Sequence, residues 1–153
     1  MKSAGSIRQL DPSVVSRIAA GEAISCPSNA IKELIENSID ANSSWITIEI
    51  ERGGYDLIRI IDDGSGISYN DLPIACKAHT TSKISDFSDL QNIGTFGFRG
   101  EALHSISMVT HLKIITKTDY DERASVANYF EGELSGQIGF IAAPKGTTIE
   151  ARN

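Results

Sequence analysis

Four short stretches put polar residues where they can do chemistry. In PSNAIKELIENSID, residues 27–40, Glu33 and Asn37 stand four positions apart, so a helix would project both from one face. A carboxylate there can take a proton or orient a water. An amide oxygen can ligate Mg²⁺, a hard ion that prefers oxygen and keeps several waters. On a solvated helix face the same pair would do neither. In IIDDGSGI, residues 60–67, Asp62 stands at the end of an apolar run, where its carboxylate can accept from an exocyclic amine. Gly64 and Gly66 permit positive φ and close approach of a ligand to the backbone. A plain Asp-Gly turn is the alternative. An EF-hand is excluded, because Pro73 occupies the place of its bidentate Glu.

In GTFGFRGEAL, residues 94–103, three glycines and Arg99 precede an expected helix. Backbone N–H groups at a helix start can cradle phosphate. The pattern is neither a Walker A loop nor a dinucleotide fingerprint, and a flexible loop before a capped helix reads equally well. In KGTTIE, residues 145–150, Thr147 and Thr148 can supply a hydroxyl or simply turn the chain into a strand. His79, His104 and His111 have no metal-binding spacing, and no Ser-His-Asp or Cys-His set is present in the sequence.

These residues need elements to hold them. Residues 1–6 read as a polar arm. Asp11-Pro12 caps a short helix with Val14, Val15, Ile18 and Ala19 on one face, ended by Gly21. A second helix over about 27–40 carries Ile31, Leu34, Ile35 and Ile39 at helical spacing. WITIEIE (45–51) alternates as a half-buried strand, Gly53-Gly54 turns, and DLIRII (56–61) returns, giving a hairpin. Residues 70–78 read as a short helix, 80–100 as a long loop of the kind that often serves as a lid, and 100–109 as a helix. LKIITKT, ASVANYFEG and the stretch around GTTIEA read as three more strands. The sum is α+β, with helices on one face of a mostly antiparallel sheet.

The chain has 153 residues, 41% hydrophobic, and a net charge of −6. That suits one domain with a real core and argues against an autonomous binder of DNA phosphates, which needs a positive field. No apolar run has membrane-spanning length, and the start has no signal core, so the reading is intracellular with no membrane partner. Cys26 and Cys76, without close Cys or His neighbours in sequence, read as reduced and partly buried thiols.

RIAAGEAI, KELIENSIDA, DDGSGI, TTSKI, GFRGEALHSIS and GTTIE, in this order, resemble the ATPase domain of the MutL family of DNA mismatch-repair proteins. The resemblance runs from about Ile7 to Glu150. The helix and glycine loop alone would mark only the wider superfamily of type II topoisomerase subunits, heat-shock chaperones and histidine kinases. Lys32 stands where a histidine kinase would usually carry His, and the wording of 17–41 and 71–84 leans to the eukaryotic MutL homologues.

The resemblance implies a two-layer α/β sandwich of the Bergerat ATPase type, with a mixed, mostly antiparallel sheet and helices on one face. Its ligands would be ATP and Mg²⁺. It implies Glu33 as the base that orients the attacking water and Asn37 as the Mg²⁺ ligand. Asp62 would accept from the adenine amine, with Thr147 assisting through water and Gly64 and Gly66 making room. Thr81, Ser82, Lys83 and the turn of Arg99, Gly100, Glu101, Ala102 and Leu103 would hold the phosphates. Asp63 departs from the Asn common in the family and is expected to point away or cap the loop.

By the same resemblance, 1–20 form an arm and first helix, and 7–153 an ATP-binding domain cut before a second, transducer domain. Binding of ATP would order the lid and the arm and bring two such domains together. The partners would be a second MutL homologue, mismatch-recognition proteins and DNA, reached through the full-length protein. The location would be the nucleus in a eukaryote and the cytoplasm otherwise. A nucleotide- or partner-binding module without hydrolysis is the competing reading.

Overall fold

The computed structural model describes residues 27–77 and 101–153, with isolated positions 7, 9 and 11. The expected arm and first helix, Cys26, and the loop over 80–100 lie outside the described residues.

Helix α1 spans Pro27–Asp40. Pro27 suits its first position, since the missing N–H is not needed there. Asn42, at φ 59, turns the chain out of the helix. The buried stripe is Pro27, Ala30, Leu34 and Ser38. It is rotated from the expected one: Ile31 and Ile35 are partly buried and Ile39 is 46% exposed. At 100° per residue, Ile31, Ile35 and Ile39 fall on one shoulder of the stripe and Glu33 and Asn37 on the other.

Strands β1 (Ile46–Glu51) and β2 (Leu57–Asp62) form the expected hairpin. Its turn is a 3-10 segment, Arg52–Gly54, in which Arg52, Gly53 and Gly54 all have positive φ. Two of the three are glycine, the residue that adopts this conformation without penalty. The short helix expected over 70–78 is a 3-10 helix, Tyr69–Ile74, with Pro73 inside it. Helix α2 spans Glu101–Val109, followed by β3 (His111–Lys117), β4 (Ala124–Phe130), β5 (Glu133–Ile141) and β6 (Gly146–Arg152).

The six strands form one sheet in the order β1-β2-β6-β3-β4-β5, and every pairing is antiparallel among the described residues. The fold is thus α+β with an antiparallel sheet. Strand β5 was not expected. Gly136 and Gly139 interrupt its pattern, and as an edge strand it buries little on either side.

Cross-strand partners share a face of the sheet, so the register defines rows. One inner row runs Ile58, Ala151, Leu112, Tyr129, and the next Ile60, Ile149, Ile114, Ala127. These pack with Ala30 and Leu34 of α1 and Ile106 of α2 into the core. Full burial of a side chain such as Leu34, Ile60 or Ile114 contributes about 1.5–3 kcal/mol. The third row is polar: Asp62, Thr147, Thr116, Ser125.

Two further bonds tie the layers. The Tyr129 hydroxyl donates to the Leu72 carbonyl at 2.6 Å, and His104 Nδ1 lies 3.0 Å from the Cys76 carbonyl. The outer face carries Glu49, Arg59, Glu150 and Arg152 in a line of ion pairs. Burial works to raise the Glu150 carboxyl, but Arg152 and Arg59 outweigh it and hold it below the usual range.

Candidate functional site

The polar row gathers the chemistry at one end of the sheet. Asp62 is the last residue of β2 and only 8% exposed. The Gly64 N–H donates to its Oδ1 at 2.9 Å, and the Thr147 N–H donates to the same oxygen at 3.2 Å. The Ser38 hydroxyl donates to Oδ2 at 2.6 Å. A buried carboxylate needs such donors, since each replaces lost water. Oδ1 accepts two of these bonds and Oδ2 one, so the remaining acceptor capacity lies on Oδ2.

Beside Asp62 lies a pair of threonines. Thr147 Oγ1 is 2.9 Å from Thr116 Oγ1. The Ile67 N–H donates to Thr116 Oγ1 at 2.8 Å, which fastens the glycine loop to β3. Thr147 is partly exposed and Thr116 is buried, so Thr147 is the face of the pair.

Helix α1 is joined to this end by its last turn. Besides the Ser38 bond, the Ser65 N–H donates to the Ala41 carbonyl at 3.0 Å. Asn37 directly precedes Ser38, so it lies within one residue of the Asp62 contact. Glu33 sits one turn back on the same shoulder. Both are partly exposed. The structure therefore brings Asn37, Asp62, Gly64, Gly66 and Thr147 to one end of the fold, with Glu33 a turn away.

The glycines have reasons of their own. A Cβ at Gly64 would stand 2.7 Å from both the Ala41 Cβ and the Ser43 Oγ. One at Gly66, at φ 79, would run into the Lys117 carbonyl. Their absence of side chains is demanded by the chain's own packing, a cause separate from clearance for a ligand. Asp63 behaves as anticipated. Its Oδ1 accepts from the N–H groups of Ser44 at 2.7 Å and Trp45 at 3.1 Å, so it caps the approach to β1. Desolvation is the largest single influence and works to raise the Asp63 carboxyl, but the N–H groups of Trp45 and Ser44 lead the opposing contributions that together hold it below its ordinary value.

Glu101 opens α2, and Ala102 and Leu103 follow in its first turn, with Leu103 packed against the core. Thr81, Ser82, Lys83, Arg99 and Gly100 lie outside the described residues. Sequence reasoning missed Ser38 and Thr116. A local signal existed for Thr116, which continues the inward alternation of Leu112 and Ile114, but not for Ser38, whose partner Asp62 lies 24 positions away. No helix of the described residues is long and apolar enough to cross a membrane.

The chain is similar in sequence and fold to known proteins. The family model described as "Histidine kinase-, DNA gyrase B-, and HSP90-like ATPase" matches residues 24–135. The DNA mismatch repair protein MLH1 of Saccharomyces cerevisiae is 50% identical over 143 residues, 94% of this chain and 19% of that protein. The DNA mismatch repair protein MutL of Pseudoalteromonas translucida is 45% identical over 148 residues, 97% of this chain and 24% of that protein. A solved structure, the Aquifex aeolicus MutL ATPase domain complexed with ADP, superposes with a TM-score of 0.60. It is 27% identical, over 83% of this chain and 42% of that one. The chain thus spans about a quarter or less of the length of these two relatives. It belongs to the histidine kinase-, DNA gyrase B- and HSP90-like ATPase family, as an N-terminal ATPase domain of the MutL kind.

Proposed function

We propose that this domain binds and hydrolyses Mg-ATP at the polar end of its sheet, in the service of DNA mismatch repair. The observation that carries the reading is Asp62, a buried acceptor-only carboxylate held by three donors beside a partly exposed threonine hydroxyl. Such a pair suits the amine edge of adenine. Asp62 accepts from the 6-amine, Thr147 assists through a water, and Gly64 and Gly66 let the base approach. The α1 donors fit the remainder. The Asn37 amide is an oxygen ligand of the type Mg²⁺ prefers, and both it and Glu33 are partly exposed. Bound Mg²⁺ would neutralise charge building on the phosphates. Glu33 orients the attacking water. Thr81, Ser82 and Lys83, with the turn from Arg99 through Gly100, Glu101 and Ala102 to Leu103, hold the phosphates. No covalent intermediate is needed, since positioning and charge stabilisation suffice.

The whole protein would contain a transducer domain after residue 153 and use residues 1–20 as an arm ordered by nucleotide. Two such domains would associate, as a homodimer or with another MutL homologue. Mismatch-recognition proteins and DNA would be engaged elsewhere on the full chain, in the nucleus if the source is eukaryotic.

The test has two parts, both on the full-length protein. A Mg-ATP analogue should raise the apparent unfolding temperature. In single-turnover hydrolysis, Glu33→Ala should bind ATP within about threefold of wild type while turnover falls at least about a hundredfold. Absence of Mg-dependent ATP binding overturns the site. Equal binding without turnover by either protein establishes the competing reading, a nucleotide-binding module that does not hydrolyse.

A further inference from the structure

The two ends of the sheet are built differently. At one end, β5 pairs with β4 through a register shift between Val126 and Asn128, and Gly136 and Gly139 interrupt its pattern. Bulges and broken strands are how natural sheets blunt an edge. At the other end, β1 reads ITIEIE, without proline, lysine or glycine, and pairs with β2 residue for residue from Ile46 to Glu51. Among the described residues, no strand pairs with its other side.

The helix layer sits over other strands. Helix α1 lies against β2, and α2 against β3 and β4, which stand farther from β1. Ile48 and Ile50 pair with Ile60 and Ile58, so they point toward the helix layer. Ile60 and Ile58 are buried there, whereas Ile48 and Ile50 are 43% and 44% exposed. Glu49 and Glu51 alternate with them on the opposite face, and both are exposed. Arg59, which pairs with Glu49, is set back on β2 and shared with Glu150. The rim of the sheet is therefore apolar on one face and acidic on the other.

Charge decides what can lie beside it. A second copy of β1 added antiparallel would bring its own Glu49 and Glu51 onto the same face, where like charges repel. Added parallel, it would turn its faces over and set glutamate beside isoleucine. The edge is thus guarded against itself but open to a strand of opposite charge. We propose that the outer edge of β1 is a docking site for an extended segment of another protein in which apolar and basic residues alternate. Such a segment would extend the sheet by one strand. Its apolar side chains cover Ile48 and Ile50, its basic ones lie beside Glu49 and Glu51, and backbone hydrogen bonds along the edge hold it. The site is separate from the nucleotide site and does not depend on it.

The probe is a fluorescein-labelled peptide of alternating Val and Lys, about eight residues long, compared with an alternating Val and Glu peptide of equal length. Anisotropy on the full-length protein gives the affinities, and hydrogen exchange read by mass spectrometry gives the place. The Val-Lys peptide should bind at least about tenfold more tightly and slow exchange over residues 46–51. Ile48→Lys, an inward charge of the kind that defends natural edges, should weaken it at least about tenfold. Glu49→Lys combined with Glu51→Lys should reverse the preference between the peptides. If Ile48→Lys does not fold, that reversal decides alone.

Equal binding of the two peptides, no binding of either, an unchanged preference in the glutamate variant, or binding that leaves 46–51 exchanging as before overturns the proposal. Complete protection of 46–51 in the protein without peptide overturns it too. Protection that fades on dilution would assign the edge to a second copy, and protection that persists would assign it to the protein's own chain.

Discussion

Replacing Ser38 by alanine removes one oxygen and tests how the helix is fastened to the sheet. The Ser38 hydroxyl donates to Asp62 Oδ2 at 2.6 Å, with both residues buried. Gly64 and Thr147 both address Oδ1, so Ser38 is the partner on the other oxygen. A hydrogen bond to a charged group contributes about 1.5–3 kcal/mol, and the loss exposes no compensating water because the site is buried. For a domain of this size, 1 kcal/mol moves the melting temperature by about 2–4 °C, so Ser38→Ala should melt roughly 3–12 °C lower. Thermal unfolding followed by circular dichroism reads this directly. The exposed Ser68 supplies the control, and Ser68→Ala should stay within about 0.5 kcal/mol of wild type. Ser38→Ala should also weaken binding of a Mg-ATP analogue, because the Asp62 carboxylate loses the bond that fixes its plane. A Ser38→Ala protein that melts within about 1 °C of wild type refutes the reasoning.

Gly146→Ala should cost at least about 3 kcal/mol in urea unfolding, because its φ is 127 and the new Cβ would strike the Asp62 carbonyl. Gly139→Ala, with open space around its Cβ, is the matched comparison, and equal losses in the two would contradict the geometry. Burial pushes the Cys76 thiol up to about 12 from 9.0, with a hydrogen bond from Ser107 opposing it only in part. In a Cys26→Ser background the folded protein at pH 8 should react with a thiol reagent roughly a thousandfold more slowly than the unfolded chain. Because the folded value lies above the unfolded one, this thiol's contribution to stability is fully present below pH 9 and declines as pH climbs toward 12. Rapid labelling of the native protein at pH 8 would contradict it.

Parts of this molecule could be read directly from its residues. The β1–β2 hairpin, α1, α2 and the ends of β3, β4 and β6 follow from local periodicity, and Asp62 at a strand end follows from an apolar run meeting Asp-Gly. The buried stripe of α1 did not. Counting apolar residues favours Ile31, Leu34, Ile35 and Ile39, whereas the helix turns Ala30, Leu34 and Ser38 inward, with Ser38 bonded to Asp62. That partner is 24 positions away, beyond the reach of a local pattern. Strand β5 was illegible for the opposite reason: glycines and two open faces leave no alternation to read. The insertion of β6 between β2 and β3 is a property of strand order alone, and no window of sequence contains it.

That insertion has a consequence for how the protein is born. On the ribosome, β2 and β3 emerge long before Gly146, and until then a slot stands open between them where the last strand must go. The N–H of Thr147 reaches Asp62 across 85 positions of chain. A nascent chain released from translation just short of Gly146 would carry Asp62 and Thr116 with nothing to join them, and two raw strand edges to attract strangers. Synthesis of the final strand is therefore what seals the domain and completes the polar row of Asp62, Thr147 and Thr116 in a single event.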